Sequence, residues 1–477
     1  MSLLVIFIPL VLVRWSRWLA IVQQKEYRLD RLTAYVRSGE GMRECWRVVP
    51  RLGDFTRKGF KRPKLTARIL VIWLLSAIPV IWFLWLLPSL GFTVALMWEI
   101  IGYCFLPVVI FIAVVPSYLI SETITMFVLY KAGKLVTQSH PRVIGITGSY
   151  GKTSTKLLLA HVLRGKYTVF STPKSFNQRY SVAKAVLDGY QGQQFMVLEY
   201  AAYKTGEIKE LAGYIQPDWA LITGLAYQHL STFGSVDNII KAKSELVSAL
   251  KDKSAVFYNG RDAGTLKIAK AGGALRPVDY TAVEGLRADL SDEGELRLEW
   301  KNHKLKTRLV GMHYLGAVAA VITVCSHLGL GEREIVAGLA SFQPGENFVR
   351  TKILKNGALL LDDGRTANPV GVRAALNLLQ FLQKTRRTAH SLMIFGGIID
   401  LAGKTAETHS ELAVYARDIV DEVLYTGIDG VDEFRQVFGE RLTAGEEQVV
   451  DRLKHLNPHT VILLEGYIPK KYETYLQ

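Results

Sequence analysis

Residues Val143 to Thr155 read VIGITGSYGKTST. The apolar run Val143-Ile144-Gly145-Ile146-Thr147 suits a buried strand. It breaks at Gly148-Ser149-Tyr150-Gly151, and after Lys152 and Thr153 a helical run extends from Ser154 to Leu163. Glycines let backbone N–H groups close around phosphate oxygens, and the helix start adds the positive end of its dipole. Gly148, Ser149, Gly151, Lys152, Thr153 and Ser154 are therefore the expected phosphate-binding residues, with Lys152 reaching the terminal phosphates of a nucleotide and the Thr153 hydroxyl ligating Mg²⁺. The longer GxxxxGK[ST] pattern fails at its first position, Ile146, leaving TGxxGKT. A plain turn between a core strand and a helix explains both glycines but not a Lys-Thr pair at the dipole end.

The chain has 477 residues, enough for two to four domains with real cores, and a net charge of +15. Between Lys25 and Arg68 thirteen Lys/Arg stand against five Asp/Glu, directly before an apolar stretch. That placement points to a cytoplasmic juxtamembrane segment attracted to anionic lipid; with no nucleic-acid motif beside it, no nucleic-acid partner is expected. Cys45, Cys104 and Cys325 are odd in number and widely spaced, implying neither a disulfide framework nor a metal cluster and suiting a reducing compartment.

Ile69 to Phe92 is 24 residues without a charge and Ile100 to Ile120 another 21, each long enough to cross roughly 30 Å of hydrocarbon. The short turn between them, around Pro88 to Glu99, makes them a hairpin. Leu3 to Val22 is interrupted by Arg14 and Arg17 and reads as an uncleaved anchor or an interfacial helix. The positive-inside bias puts the basic loop, and everything after about Ser121, in the cytoplasm. Ser121 to Val136 continues as an apolar helix with Glu122 and Lys131 and reads as interfacial, because a further crossing would export the nucleotide site. The expectation is thus a multi-pass protein of the cytoplasmic membrane, with two or three transmembrane helices over residues 1–137.

TGSYGKTST resembles the nucleotide loop of the Mur ligase family, ATP-dependent enzymes that build the peptide of cell-wall precursors. The resemblance extends over residues 138 to 477. The expected architecture is α/β, with a central P-loop Mur ligase domain carrying a parallel-rich sheet over 138–345 and a Rossmann-like α/β domain over 346–477, where strand and helix signals alternate. Thr172-Pro173-Lys174-Ser175-Phe176-Asn177 is similar to the family's TPxSFN segment, implying a substrate role for Asn177. Glu199, ending the apolar strand Phe195 to Tyr200, sits where ligands bind in an open sheet and is similar to the family's Mg²⁺-binding Glu.

His229 and Lys243 match the family's HLxxFGS and KAKSE segments. The resemblance implies that His229 assists a second Mg²⁺ and that Lys243 is carbamylated by CO₂, which requires a desolvated, neutral amine; Lys241 competes for that role. Asp362-Asp363-Gly364-Arg365 with Ala367-Asn368-Pro369 resembles DDSYNANP, giving Asp363 to the ribose and Arg365 to phosphate. His409 follows a weak GDMxELG match and is assigned to substrate. Several positions depart from the family: Tyr314 and Ala317 replace asparagines, Glu346 stands for Arg, and Glu465 falls in place of a basic segment.

The resemblance is closest to the branch that adds D-alanyl-D-alanine to a muramoyl tripeptide. It implies ATP and Mg²⁺ as cofactors, a muramoyl-peptide acceptor that is UDP- or lipid-linked, an amino acid or dipeptide amine donor, and an acyl phosphate intermediate. Lys152, His229 and Lys243 would be catalytic, and Thr153, Glu199, His229 and Lys243 would surround the metal. Membrane lipid is the further expected partner. The other readings are a catalytically weakened ATP-binding scaffold and a ligase acting on a different acid, such as a polyglutamate.

Overall fold

The computed structural model describes every residue except 1, 38, 48–61, 87–91, 227–229, 365–366, 387–389, 399–400 and 477. The chain divides into two compact units, Met1–Phe127 and Val128–Gln477.

The first unit is helical: α1 (Ser2–Gln24), α2 (Leu29–Arg37), α3 (Gly39–Cys45), α4 (Ala67–Leu86) and the start of α5 (Phe92–Ser139). Trp15, Trp18, Leu19, Ile69, Ile72, Leu106, Ile110 and Val114 form its core, so α1 packs with α4 and α5. The arginine that interrupts α1 is accommodated by acceptors: Arg14 donates to the carbonyls of Cys45, at 2.9 Å, and Arg47, and its guanidinium lies over the Tyr103 ring. Arg17 pairs with Glu44. Polar side chains on an apolar helix persist when they find such partners.

Ser121 to Val136 continues α5, which runs unbroken for 48 residues, through Pro107 and Pro116. Among the described residues one helix, Ile100–Ser139, is long and apolar enough to cross a bilayer, while the apolar stretch Ala67–Trp82 is shorter, so two or three crossings are not confirmed. Both helices nevertheless leave large apolar side chains exposed: Trp73, Leu74, Ile81 and Trp85 on α4, and Phe105, Ile112, Leu119 and Phe127 on α5.

The second unit begins inside α5, where Leu129, Ala132 and Val136 pack against Val182, Leu211 and Ile215. Its chain order is β1 (Arg142–Thr147), α6 (Lys152–Leu163), β2 (Val169–Ser171), α7 (Arg179–Gly189), β3 (Phe195–Glu199), α8 (Glu207–Tyr214), β4 (Trp219–Ile222), α9 (Leu230–Phe233), α10 (Val236–Ser248), β5 (Val256–Tyr258), α11 (Ala263–Ala271) and β6 (Val278–Asp279). These strands form one parallel sheet ordered β2-β3-β1-β4-β5-β6. The chain builds one side of β1 and then the other, which makes the carboxyl ends of β1, β3 and β4 the switch point where ligands bind. Tyr167, just before β2, turns inward: its ring meets Phe195 and its hydroxyl donates to the Leu328 carbonyl.

An antiparallel sheet of β7 (Leu286–Leu290), β8 (Glu295–Trp300) and β9 (His303–Val310) follows, then α12 (Leu315–His327) and α13 (Glu332–Ser341). The last part comprises β10 (Arg350–Ile353), β11 (Leu359–Asp363), α14 (Pro369–Arg386), β12 (His390–Phe395), α15 (Thr405–Arg417), β13 (Glu422–Tyr425), α16 (Val431–Phe438), β14 (Leu442–Ala444), α17 (Glu446–Lys454), β15 (Thr460–Glu465) and α18 (Lys470–Glu473). Its sheet is ordered β10-β11-β15-β12-β13-β14, parallel except for the β10 edge. One apolar core runs from Ile144 and Phe195 through Val318 and Ile322 to Leu361, Leu376 and Phe395, tying both sheets together.

Candidate active site

The loop after β1 is held open from behind. Ser149 N–H donates to the Gly224 carbonyl at 2.7 Å and Ser149 Oγ to the Ala226 carbonyl at 3.1 Å. Thr223 Oγ1 donates to the Tyr150 carbonyl at 2.5 Å, and the Tyr150 hydroxyl donates to Asp262 Oδ2 at 2.9 Å, an oxygen that also accepts from Leu225 N–H. Gly151, at φ +76°, is the N-cap of α6 and supplies no side-chain acceptor, so the first N–H groups of α6 remain available to an anion. Thr153 and Ser154 sit half-buried in that turn. Lys152 folds onto its own loop, donating to the Gly148 carbonyl at 2.7 Å. Burial pulls its ammonium below the usual lysine range, and the Glu199 carboxylate opposes that pull.

Glu199 ends β3 in register with Ile146 of β1 and is fully buried. Lys156 Nζ lies 2.9 Å from its Oε1, off the angles of a hydrogen bond, so both carboxylate oxygens are buried without a hydrogen-bond donor. Such an acceptor in a polar site is suited to a hard cation. Thr153, at the start of α6, carries the other hard oxygen the sequence assigned to a metal; His229 lies outside the described residues. Among the described residues no three His, Cys, Asp or Glu converge on one point.

Lys243 sits on α10, which Ser235 caps by accepting from Asn238 N–H. Its amine is driven well below the usual lysine range, first by burial and then by the neighbouring Lys152 ammonium. Lys241, its competitor, is exposed. One cleft is lined by Gly148, Ser149, Lys152, Asn177, Tyr203 and Lys243. Asn177 is fixed by its carbonyl, which accepts from Ala201 N–H at 3.0 Å.

Asp363 and His409 do not line this cleft. His409 is a correction: it is fully buried, with Nδ1 donating to the Thr405 carbonyl and Nε2 accepting from Ile398 N–H, so neither ring nitrogen is left for a substrate. Arg365 lies outside the described residues. Tyr314 turns its hydroxyl to Val349 N–H at 2.9 Å and docks the chain entering β10.

Asp363 ends β11 directly beside Glu465 at the end of β15. Burial is the first cause raising both carboxyls, Asp363 to about 6 and Glu465 well above the ordinary glutamate range; the Asp362 charge adds to the rise at Asp363 while a hydrogen bond with Glu465 opposes it, and the Asp363 carboxylate adds to the rise at Glu465. Folding therefore favours the protonated pair. The stability it contributes is fully present below the unfolded values and is lost as pH rises through the folded ones. We expect the thermal unfolding midpoint of the full chain to fall as pH is raised from about 4 to 7, and Glu465→Gln to flatten that slope; an unchanged slope in the variant removes this account.

Sequence reading missed three features. These are the buried Lys156, the Tyr150–Asp262 brace and the Asp363–Glu465 pair. No local signal marks Lys156; for Glu465 the signal was a carboxylate ending an otherwise apolar strand.

Residues 146–325 match the Mur ligase middle domain. The UDP-N-acetylmuramoyl-tripeptide--D-alanyl-D-alanine ligase of Bacillus subtilis is 28% identical over 295 residues, 60% of this chain and 63% of that protein. The Escherichia coli protein of the same name is 26% identical over 298 residues, 60% and 64%. The chain thus spans less than two thirds of the length of these relatives. Among solved structures, MurF from Acinetobacter baumannii superposes with a TM-score of 0.63 at 22% identity, covering 74% of this chain and 78% of that one. MurF ligase from Thermotoga maritima in complex with ADP gives 0.59 at 24% identity, with 74% and 82% covered.

Proposed function

From a chain whose residues 146–325 carry a Mur ligase middle domain, we propose an ATP-dependent carbon–nitrogen ligase of peptidoglycan precursor synthesis, of the type that adds D-alanyl-D-alanine. The observation that carries the reading is a buried lysine, Lys243, lining one cleft with the phosphate-loop Lys152, in a fold that also buries the Glu199 carboxylate without a hydrogen-bond donor.

In this scheme an acceptor carboxylate oxygen attacks the γ-phosphorus of ATP, the bond to ADP breaks, and an acyl phosphate forms. The donor's amine nitrogen then attacks the acyl carbon, phosphate leaves with the bonding electrons, and the nitrogen loses a proton to give the amide. Lys152 leaves its loop carbonyls for the terminal phosphate and neutralises charge there; the N–H groups at the start of α6 hold the remaining phosphate oxygens. Mg²⁺, held by Thr153, Glu199, His229 and carbamylated Lys243, would supply further charge neutralisation at the phosphates. Asn177, which lines the same cleft, would orient the acceptor, Asp363 would hold the ribose, and the role of Arg365 at phosphate rests on the resemblance of its motif alone.

Membrane anchoring belongs to the same proposal. The exposed Trp, Ile and Phe side chains of α4 and α5 and the basic segment from Lys25 to Arg68 support it, with the catalytic unit in the cytoplasm, where ATP is. An acceptor held at the bilayer, a lipid-linked muramoyl peptide, suits a ligase so anchored. Purified membranes fed with ATP, D-alanyl-D-alanine and either lipid-linked or UDP-linked muramoyl tripeptide test the whole reading by product mass and phosphate release. Product from the lipid-linked acceptor alone is expected; product from only the UDP form rejects the lipid assignment, and product from neither rejects the ligase.

A further inference from the structure

Lys156, one turn beyond Lys152 on α6, is completely buried and has no part in the scheme above. Its ammonium stands where three elements meet. It lies 2.9 Å from Glu199 Oε1, donates to the Lys174 carbonyl at 2.6 Å and donates to Thr172 Oγ1 at 3.2 Å. A left-handed backbone at Lys174, φ +49°, accompanies the carbonyl that meets it, a conformation uncommon outside glycine. Thr172 Oγ1 in turn donates to the Phe176 carbonyl, and the Asn177 carbonyl accepts from Ala201 N–H, two residues past Glu199. The 172–177 loop is therefore wrapped around the Lys156 head at one end and fastened to the chain leaving β3 at the other.

Two of the ammonium's three protons go to hydrogen bonds with the loop, and the Glu199 carboxylate lies beside it as an ion pair. In a buried setting, removing one partner leaves the other charge uncompensated, which disturbs everything that shared it. We propose that Lys156 is a positioning residue that ties the Glu199 carboxylate to the 172–177 loop, so that a change of charge at Glu199 is felt at Asn177. Its significance for ligation, communication between metal loading and acceptor binding, rests on the proposed function; the coupling itself does not.

Hydrogen exchange of backbone amides 174–177, measured on the full chain in detergent without nucleotide, tests it. Glu199→Gln keeps the shape and removes the charge. It should speed exchange at 174–177 about tenfold, Lys156→Met should do the same, and the double variant should add nothing further, because charge-assisted contacts in one network are not additive. An unchanged rate in Glu199→Gln, or additive effects, overturns the proposal. Should Lys156→Met fail to fold by circular dichroism, Glu199→Gln alone decides: acceleration confined to 174–177, with the α16 amides unmoved, supports the tie, and unchanged or uniform exchange overturns it. In a second arm, Mg²⁺ with ADP should alter exchange at 174–177 in the unmodified chain but not in the double variant, and equal change in both also overturns it. Turnover is read in neither arm. A chain that consumes no ATP but passes the first arm loses the ligase reading and keeps the tie.

Discussion

Lys243→Ala should lower acceptor-dependent ATP turnover about a thousandfold, the scale on which removing one preorganised charge-stabilising group acts, while leaving the fold and nucleotide binding in place. The argument begins with the environment of the amine. A lysine at the surface is protonated at neutral pH and inert toward CO₂; Lys243 is buried and faces the Lys152 ammonium, and both effects favour the neutral amine. A neutral amine can add CO₂: the nitrogen–carbon bond forms, a proton leaves, and a cationic side chain becomes an anionic oxygen ligand. Alanine removes both the nitrogen and its stem, leaving a space open to a small acid. Millimolar formate or acetate should therefore restore part of the lost rate in Lys243→Ala and none in Lys152→Ala. Lys241→Ala, at an exposed position on the same helix, should stay within about twofold, as surface substitutions ordinarily do. If Lys243→Ala keeps its turnover, the buried amine has no chemical role and the chain is better described as a nucleotide-binding scaffold.

How far the sequence carried these conclusions depends on what kind of signal each residue gives. The apolar runs Val143–Thr147 and Phe195–Tyr200 located β1 and β3 to within a residue. The turn after β1 was legible because glycine, lysine and threonine there have a physical reason to occur together. Helix α6 begins two residues earlier than the periodicity indicated, since polar residues in a first turn carry no hydrophobic phase. Glu122 and Lys131 interrupt the hydropathy of α5, but a charged side chain leaves the backbone hydrogen bonds of a helix intact.

Side-chain partnerships over long sequence separations were the least accessible. Nothing local marks Lys156 as buried, because its neighbours Leu157 and Leu158 explain the helix face without it; only the arrival of Glu199 from β3 and Thr172 from the loop after β2 gives it acceptors. His409 illustrates the opposite error. The motif-like spacing suggested a ligand contact, yet the ring is used by the protein to hold Ile398 N–H to the Thr405 carbonyl. A histidine inside a helix beside strand-end glycines satisfies two buried backbone groups at once, a demand as strong as any catalytic one.

The two glycines of the phosphate loop should respond very differently to a single methyl group. Both have positive φ, +152° at Gly148 and +76° at Gly151. At Gly151 an added Cβ would meet Thr223 Cβ at 3.6 Å, an ordinary contact, so alanine pays only for the left-handed backbone, about 1 kcal/mol. At Gly148 the same atom would lie 2.1 Å from Thr223 Oγ1 and 3.0 Å from Gly224 N. Thr223 cannot retreat without giving up its bonds to the Tyr150 and Thr147 carbonyls, and the Gly148 carbonyl that now holds Lys152 would rotate with its residue. Gly148→Ala should therefore weaken binding of a fluorescent ADP by about a hundredfold, roughly 2.7 kcal/mol, against less than tenfold for Gly151→Ala, with a parallel ordering of thermal midpoints. Equal losses at the two positions would mean that the brace through Thr223 does not shape the phosphate site, and that generic left-handed strain is all these glycines relieve.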